Sequence, residues 1–369
     1  MHVGIDARMI GHSGIGVYLR ELIRHLRRVA SDLEITLFGR PIKLQEFEAL
    51  GCRVVPYLAG IYGGAERRGW PREAARCDVL HAPHYSAPGR PPRPMVVTFH
   101  DLIHLLGPGA LVGPRRWWAR HLMSSALRSA EAIVCDSEAT RRDLLSTLRG
   151  GRSKERTIRV IPLAAGRVFR EEPDTESETA WRHEAGLPGR HWLTVGIDKP
   201  HKGHDFTLAA VARLGASADG RLPLVIVGPE ERRFRKRHRE ALRLGGVEVI
   251  FPGWIEEERL PALYRGAVAL LFPSQREGFG FPAIEALAAG CPVLAADSGA
   301  LPEVVGEGGV LLPPDDAGAW AKAMERVAGD ESHRRDLIEC GRRRAEQFSW
   351  ARTAAQMVEV YRRAAQRQR

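Results

Sequence analysis

Twice along its length this chain alternates short apolar runs with longer amphipathic stretches, and that rhythm makes it an α/β protein of two successive parallel-sheet domains. The runs are strand-sized and rich in Val, Ile and Leu, as parallel strands buried on both faces are. The rhythm breaks at a polar, acidic stretch over 171–178 and then restarts, which sets a first domain at 1–173 and a second at 174–349. With 369 residues, 44% hydrophobic and 27% charged, the chain can fill two ordinary cores, which excludes a disordered protein.

In the first domain, 2–6 reads as the opening strand and 11–16 (GHSGIG) as a loop before an amphipathic helix over 17–29. Glycines at 11, 14 and 16 do not make a GxGxxG fingerprint, so the loop is either a phosphate cradle or a tight turn needing positive φ. Strands follow at 33–38, 54–58, 79–81, 95–99 and 132–135, and an apolar run over 159–163 closes the series. Side chains at the C-terminal ends of parallel strands face the ligand crevice. That position makes His100 and Asp101 candidates for chemistry, while His81, His84 and His104 read as structural histidines.

The second series has strands at 192–196, 224–228, 247–251, 268–272, 293–296 and 310–312. The loop after its first strand, 196–203 (GIDKPHKG), sets lysine just ahead of a helix, where it suits a diphosphate; Lys199 reads as an ordinary exposed lysine. A turn-rich loop at 273–280 then leads into a helix opening at Phe281 with Pro282 near its first position. A helix N-terminus attracts phosphate, and Gly278 and Gly280 let the backbone come close. Glu277 and Glu285 flank this loop, and beside a phosphate they repel the ligand unless each grips hydroxyl donors. A sugar nucleotide brings two such sets, the ribose diol and the hexose hydroxyls. The alternative is that Glu285 complements the helix dipole from the first turn and Glu277 is a solvated loop charge. The last stretch, 350–369, reads as a helix with Ala354, Met357, Val358 and Tyr361 on one side, left to pack back across the first domain.

The chain opens without a basic segment followed by an apolar one, and no run is long enough to cross a bilayer, so a cytoplasmic protein is expected. Five scattered cysteines without CxxC spacing read as reduced, mostly buried residues and not as a zinc site. Residues 1–173 carry 27 Lys and Arg against 17 Asp and Glu, and the remainder carries 28 against 28, so the whole net charge of +10 lies in the first domain. The basic run at 232–239 reads as one face of a solvated helix over 232–244; without aromatic interleaving or a recognition motif, nucleic acid is not an expected partner. Two clusters mix arginine with tryptophan: 67–72, and 114–121 with Arg115, Arg116, Trp117 and Trp118. Such mixtures suit an anionic membrane surface, against the alternative of buried tryptophans beside a solvated arginine face.

Over nearly its whole length the sequence resembles the family 4 glycosyltransferases, retaining enzymes of GT-B architecture with two facing Rossmann-like domains and the active site in the cleft. Glu277 and Glu285 match the E-x7-E motif, 195–203 the lysine loop and 98–101 the histidine segment. Shorter matches fall in register at 14–16, 136–138, 161–163, 253–254, 260–264 and 299–303. The resemblance implies that Glu285 binds the ribose diol and that Glu277, with the amides of Gly278, Phe279, Gly280 and Phe281, holds the donor sugar. Lys202, in the loop that begins at Gly196, would neutralise the departing diphosphate. His100 would face the reacting sugar, Trp254 and Ile255 the base, and Gly14, Ile15 and Gly16 the phosphates; Asp101, Arg115 and Arg116 belong to the acceptor side. No metal and no cofactor is implied, the nucleotide sugar being a substrate, and the acceptor is a glycan or lipid-linked. Many members carry arginine where this chain has Ile197, which leaves more of the diphosphate charge to Lys202 and helix N-termini. The GIDKPHKG form resembles mannosyl-transferring members, so GDP-mannose leads over UDP-glucose and UDP-N-acetylglucosamine. An epimerase or a glycan phosphorylase of the same architecture is the alternative.

Overall fold

The structure, a computed structural model, describes residues 1–63, 66, 69–148, 155, 157–214, 222–228 and 248–366. Outside the described residues lie Arg67 and Arg68 of the first arginine–tryptophan cluster, the basic run at 232–239 with its helix over 232–244, the start of the strand read at 247–251, and 367–369.

The chain forms two compact units. The first comprises Met1–Leu106, Ala110–Leu163 and Ser349–Arg369, the second Gly107–Gly109 and Ala164–Phe348. The division therefore falls at Leu163 and Ala164, where composition placed it at 173. The intervening residues pack on the second unit: Phe169 is buried with its ring 5.9 Å from that of Tyr264, and Arg170 donates to the carbonyls of Ala345 and Phe348.

The first unit is built on β1 (His2–Asp6), β2 (Glu34–Gly39), β3 (Arg53–Pro56), β4 (Val79–Ala82), β5 (Met95–Phe99), β6 (Ala132–Cys135) and β7 (Ile158–Val160). All pairings are parallel, in the order β3-β2-β1-β4-β5-β6-β7. Winding reverses beside β1, which opens a crevice at the C-terminal ends of the central strands. The Ser13–Val29 helix buries Leu19, Leu22, Ile23 and Leu26, and its Tyr18 hydroxyl lies 3.2 Å from that of Thr98 on β5. The Trp350–Gln366 helix returns to the same unit, burying Ala354, Met357, Val358 and Tyr361, and its Thr353 hydroxyl donates to the Pro162 carbonyl at 2.6 Å.

The glycine segment departs from the loop read at 11–16. The helix starts at Ser13, so Gly14, Ile15 and Gly16 lie in its first turn, and none of the three glycines has positive φ. Gly16 is needed for closeness instead, since a Cβ there would stand 2.5 Å from the Ile10 carbonyl oxygen.

The second unit repeats the winding with β8 (His191–Val195), β9 (Leu224–Val227), β10 (Val249–Gly253), β11 (Ala267–Phe272), β12 (Val293–Ala296) and β13 (Val310–Leu312). These are again parallel, in the order β10-β9-β8-β11-β12-β13. β11 lies beside β8, far apart in sequence, so the loops leaving their C-terminal ends become neighbours. Among the described residues no helix is long and apolar enough to cross a membrane, and the five cysteines are free thiols, four of them buried.

Candidate functional site

In the second unit the lysine loop and the glutamate loop are locked together. A short turn at Pro200–Lys202 ends in Gly203 at φ +70°, where a Cβ would meet the Pro273 carbonyl oxygen at 2.6 Å. Gln275 N–H donates to the His201 carbonyl at 2.7 Å, tying the second loop to the first. The result is a 2.6 Å ion pair between Lys202 Nζ and Glu277 Oε1. Ser274 Oγ donates to the same oxygen at 2.6 Å. Lys202 is thus not a bare cation; it already has a carboxylate partner, in a site whose two side chains are 18% and 10% exposed. Ser274, fully buried, is a site residue that sequence reasoning missed although it stands three residues before Glu277, because nothing in the local pattern shows its hydroxyl turned to that carboxylate.

Glu285 lies beyond the first turn of the Phe281–Ala289 helix, which excludes the dipole-complementing reading. It is buried, and its one described hydrogen bond comes from the Tyr264 hydroxyl at 3.0 Å. Burial pushes its carboxyl up to about 7; the Tyr264 bond opposes this and the charge of Glu257 adds to it. Gly280, which has no side chain to cap with, stands at the helix N-cap at φ +97°, a conformation that favours glycine. Lys199 is exposed, Trp254 follows β10 with 68% of its surface exposed, and Ile255 is half-buried.

In the first unit His100 follows β5 and Asp136 follows β6, and the Phe99–Cys135 register sets them side by side. His100 Nδ1 lies 2.6 Å from Asp136 Oδ2, and Nε2 lies 2.9 Å from the Pro83 carbonyl oxygen. Burial lowers the imidazole's proton affinity, but the charge and hydrogen bond of Asp136, with Asp101 and the Pro83 carbonyl, outweigh it and the net direction is up. Asp101 accepts from Ile103 N–H at 2.9 Å. His81 bonds Thr98 and Tyr361 and is pushed down to about 3, first by burial and then by the charge of His100. His84 accepts from Ser86 N–H, and His104 pairs with the Tyr85 hydroxyl.

A second group missed in the sequence stands after β1. Arg8 donates to Asp6 and to Glu66 at 2.6 Å and to the Ala59 carbonyl, and its guanidinium lies 4.4 Å from the centre of the Tyr57 ring. On the Gly113–Ser129 helix Arg115 is exposed and Arg116 half-buried. Trp117 is 66% exposed, contrary to the buried reading, whereas Trp118 is half-buried and Trp70 packs edge-on against Phe38. Among the described residues no three His, Cys, Asp or Glu side chains gather as a metal site.

Two family models match the chain: "Glycosyltransferase Family 4" over 12–164 and "Glycosyl transferases group 1" over 178–344. A D-inositol 3-phosphate glycosyltransferase of Catenulispora acidiphila is 30% identical over 398 residues, covering 95% of this chain and 90% of that protein. O-antigen chain mannosyltransferase B of Escherichia coli is 26% identical over 370 residues, covering 95% and 96%. Among solved structures, Anabaena HepE in complex with UDP and glucose superposes with a TM-score of 0.75 at 19% identity, over 97% of this chain and 98% of that one. With both units matched and a relative of this identity spanning nearly the full length, the chain belongs to glycosyltransferase family 4 and is an enzyme of the GT-B fold.

Proposed function

We propose that this glycosyltransferase moves a hexose from a nucleotide sugar to a glycan or lipid-linked acceptor, with retention at the anomeric carbon and GDP-mannose as its donor. The observation that carries the nucleotide-sugar reading is Glu285, a buried carboxylate with a single described hydroxyl donor, on the helix that follows the Glu277 loop. A ribose diol supplies two further donors and relieves the cost of burying that charge. Mannose rests on the GIDKPHKG loop and on the Escherichia coli mannosyltransferase; the UDP and glucose bound by Anabaena HepE keep UDP-glucose as the rival donor.

Breaking a glycosyl–phosphate bond builds positive charge at the anomeric carbon and negative charge on the phosphate. Lys202 serves the second when it turns from Glu277 towards the diphosphate, and Glu277, still held by Ser274, remains to grip the sugar hydroxyls. Gly278, Phe279, Gly280 and Phe281 bring backbone close to the same ligand, and the exposed Trp254 with Ile255 meets the base. In the first unit the sugar- and acceptor-facing roles fall to His100 and Asp101. Charge handling by Lys202 and helix N-termini leaves no step that needs a metal or a cofactor.

Thermal stabilisation across a panel of nucleotide sugars tests the donor, since a ligand at 100 times its Kd adds about 2.7 kcal/mol. GDP-mannose is expected to stabilise most. NMR of the product is expected to show retention, with activity surviving EDTA; an inverted product, or strict dependence on added metal, removes the mechanism. Turnover of the donor without acceptor, or of a glycan with inorganic phosphate, would favour the epimerase or the phosphorylase.

We also propose that the Gly113–Ser129 helix meets an anionic membrane surface, because Trp117 and Val112 are exposed beside Arg115. Co-sedimentation with anionic vesicles is expected to weaken with salt and with Arg115→Glu/Arg116→Glu. Equal recovery with neutral and anionic vesicles at low salt sinks this reading.

A further inference from the structure

His100 has both ring nitrogens within hydrogen-bonding distance of acceptors. The Pro83 carbonyl oxygen, 2.9 Å from Nε2, can only accept, so Nε2 carries a proton. An ionised Asp136 can likewise only accept. If Nδ1 were bare, two lone pairs would face each other across 2.6 Å. One more proton must therefore lie between Nδ1 and Oδ2. From this geometry we infer that His100 and Asp136 jointly hold a proton through neutral pH, with Asp136 as a positioning residue, so that His100 presents a ligand with no basic nitrogen.

The surroundings agree. Asp136 is almost fully buried, and its other oxygen, Oδ1, has no hydrogen-bond partner among the described residues, a cost best tolerated when the carboxyl's charge is compensated across the short bond. The titratable and charged groups facing the imidazole are Asp101 next in the chain, Tyr18 with ring centroids 4.8 Å apart, and His81 and His84 from β4 and the turn after it. Burial keeps Tyr18 in its neutral phenol form and His81 and His84 neutral, so the nearby charges are the carboxylates, and these favour the extra proton.

The consequence for catalysis rests on the glycosyltransfer proposed above. A histidine whose two nitrogens both donate does not deprotonate the acceptor hydroxyl. That proton goes instead to the departing phosphate oxygen as the glycosidic oxygen–carbon bond forms and the carbon–phosphate-oxygen bond breaks, and His100 stays protonated throughout.

Nitrogen-15 NMR of imidazoles in the ligand-free, full-length protein tests the protonation state without any assay of activity, His100→Gln assigning the signal. Both nitrogens of His100 are expected in the protonated range at pH 7.5. In Asp136→Asn the midpoint for losing the second proton is expected to fall by about 1–2 pH units, the equivalent of one charge-assisted hydrogen bond. The alkaline limb of kcat/KM is expected to move down with it, which a merely structural role would not produce. One bare nitrogen on His100 at pH 7 in the unaltered protein overturns the inference, even if Asp136→Asn does not fold; so does an unmoved midpoint in a folded Asp136→Asn. Loss of activity on every donor with the NMR result intact would instead count against the proposed reaction.

Discussion

The two units share one winding but treat the polar groups at their strand ends in opposite ways. In the first, the cationic and imidazole groups are met internally, though Asp136 Oδ1 is not: Arg8 is spent on Asp6, Glu66 and the Ala59 carbonyl, His81 on Thr98 and Tyr361, and His100 on Asp136 and the Pro83 carbonyl. In the second, Glu285 has one described donor for a buried carboxylate, and the two described partners of Glu277 crowd onto Oε1. A satisfied buried group holds shape, because a ligand has nothing further to offer it. An under-satisfied one is where a ligand gains most, because binding supplies the missing bonds.

The largest effect is expected where a satisfied network is cut. Arg8→Met leaves Asp6 and Glu66 buried together without their cation, and should cost about 3–5 kcal/mol in urea unfolding. A loss below about 1 kcal/mol would break the comparison, since the first unit's strand ends would then not be holding shape. In the second unit the effects should fall on function. Lys202→Ala is expected to lower kcat about 100-fold or more while stability changes little, because phosphate charge grows only as the bond breaks. Unchanged single-turnover rates with a confirmed donor would remove Lys202 from that role.

Glu285→Ala is expected to weaken donor binding by about 1.5–3 kcal/mol with a smaller change in kcat, ribose contacts being alike in ground and transition states. The smallest effect is a pH dependence. The folded Glu285 carboxyl is raised to about 7 from the ordinary 4.5, so the folded state keeps its proton longer and this group's contribution to stability declines as pH rises from about 4.5 through 7. Hydroxyl donors prefer the carboxylate, so donor affinity should rise over the same range and level above 7, being about tenfold weaker at pH 6 than at its plateau. Calorimetry in buffers of differing ionisation enthalpy should show a proton released on binding at pH 6. Flat affinity and no proton release between pH 5.5 and 8 would show that Glu285 does not change ionisation there.

Much of the fold was legible because parallel strands are buried on both faces and write themselves as apolar runs: β1, β5, β6, β12 and β13 fall on the residues read from the pattern. The glycine segment misled because glycine has two uses, positive φ and close approach, and spacing does not separate them; Gly16 serves the second. Local pattern also placed Glu277, Lys202 and His100 on loops at strand ends. What each of them touches was decided only in three dimensions. Strand order sets β11 beside β8 and so brings Lys202 to the Glu277 oxygen that Ser274 holds from the same loop, while β5–β6 register puts Asp136 against His100. Periodicity along a chain reports which face of an element is buried; partners and protonation depend on pairing between strands remote in sequence, and only the folded sheet supplies that.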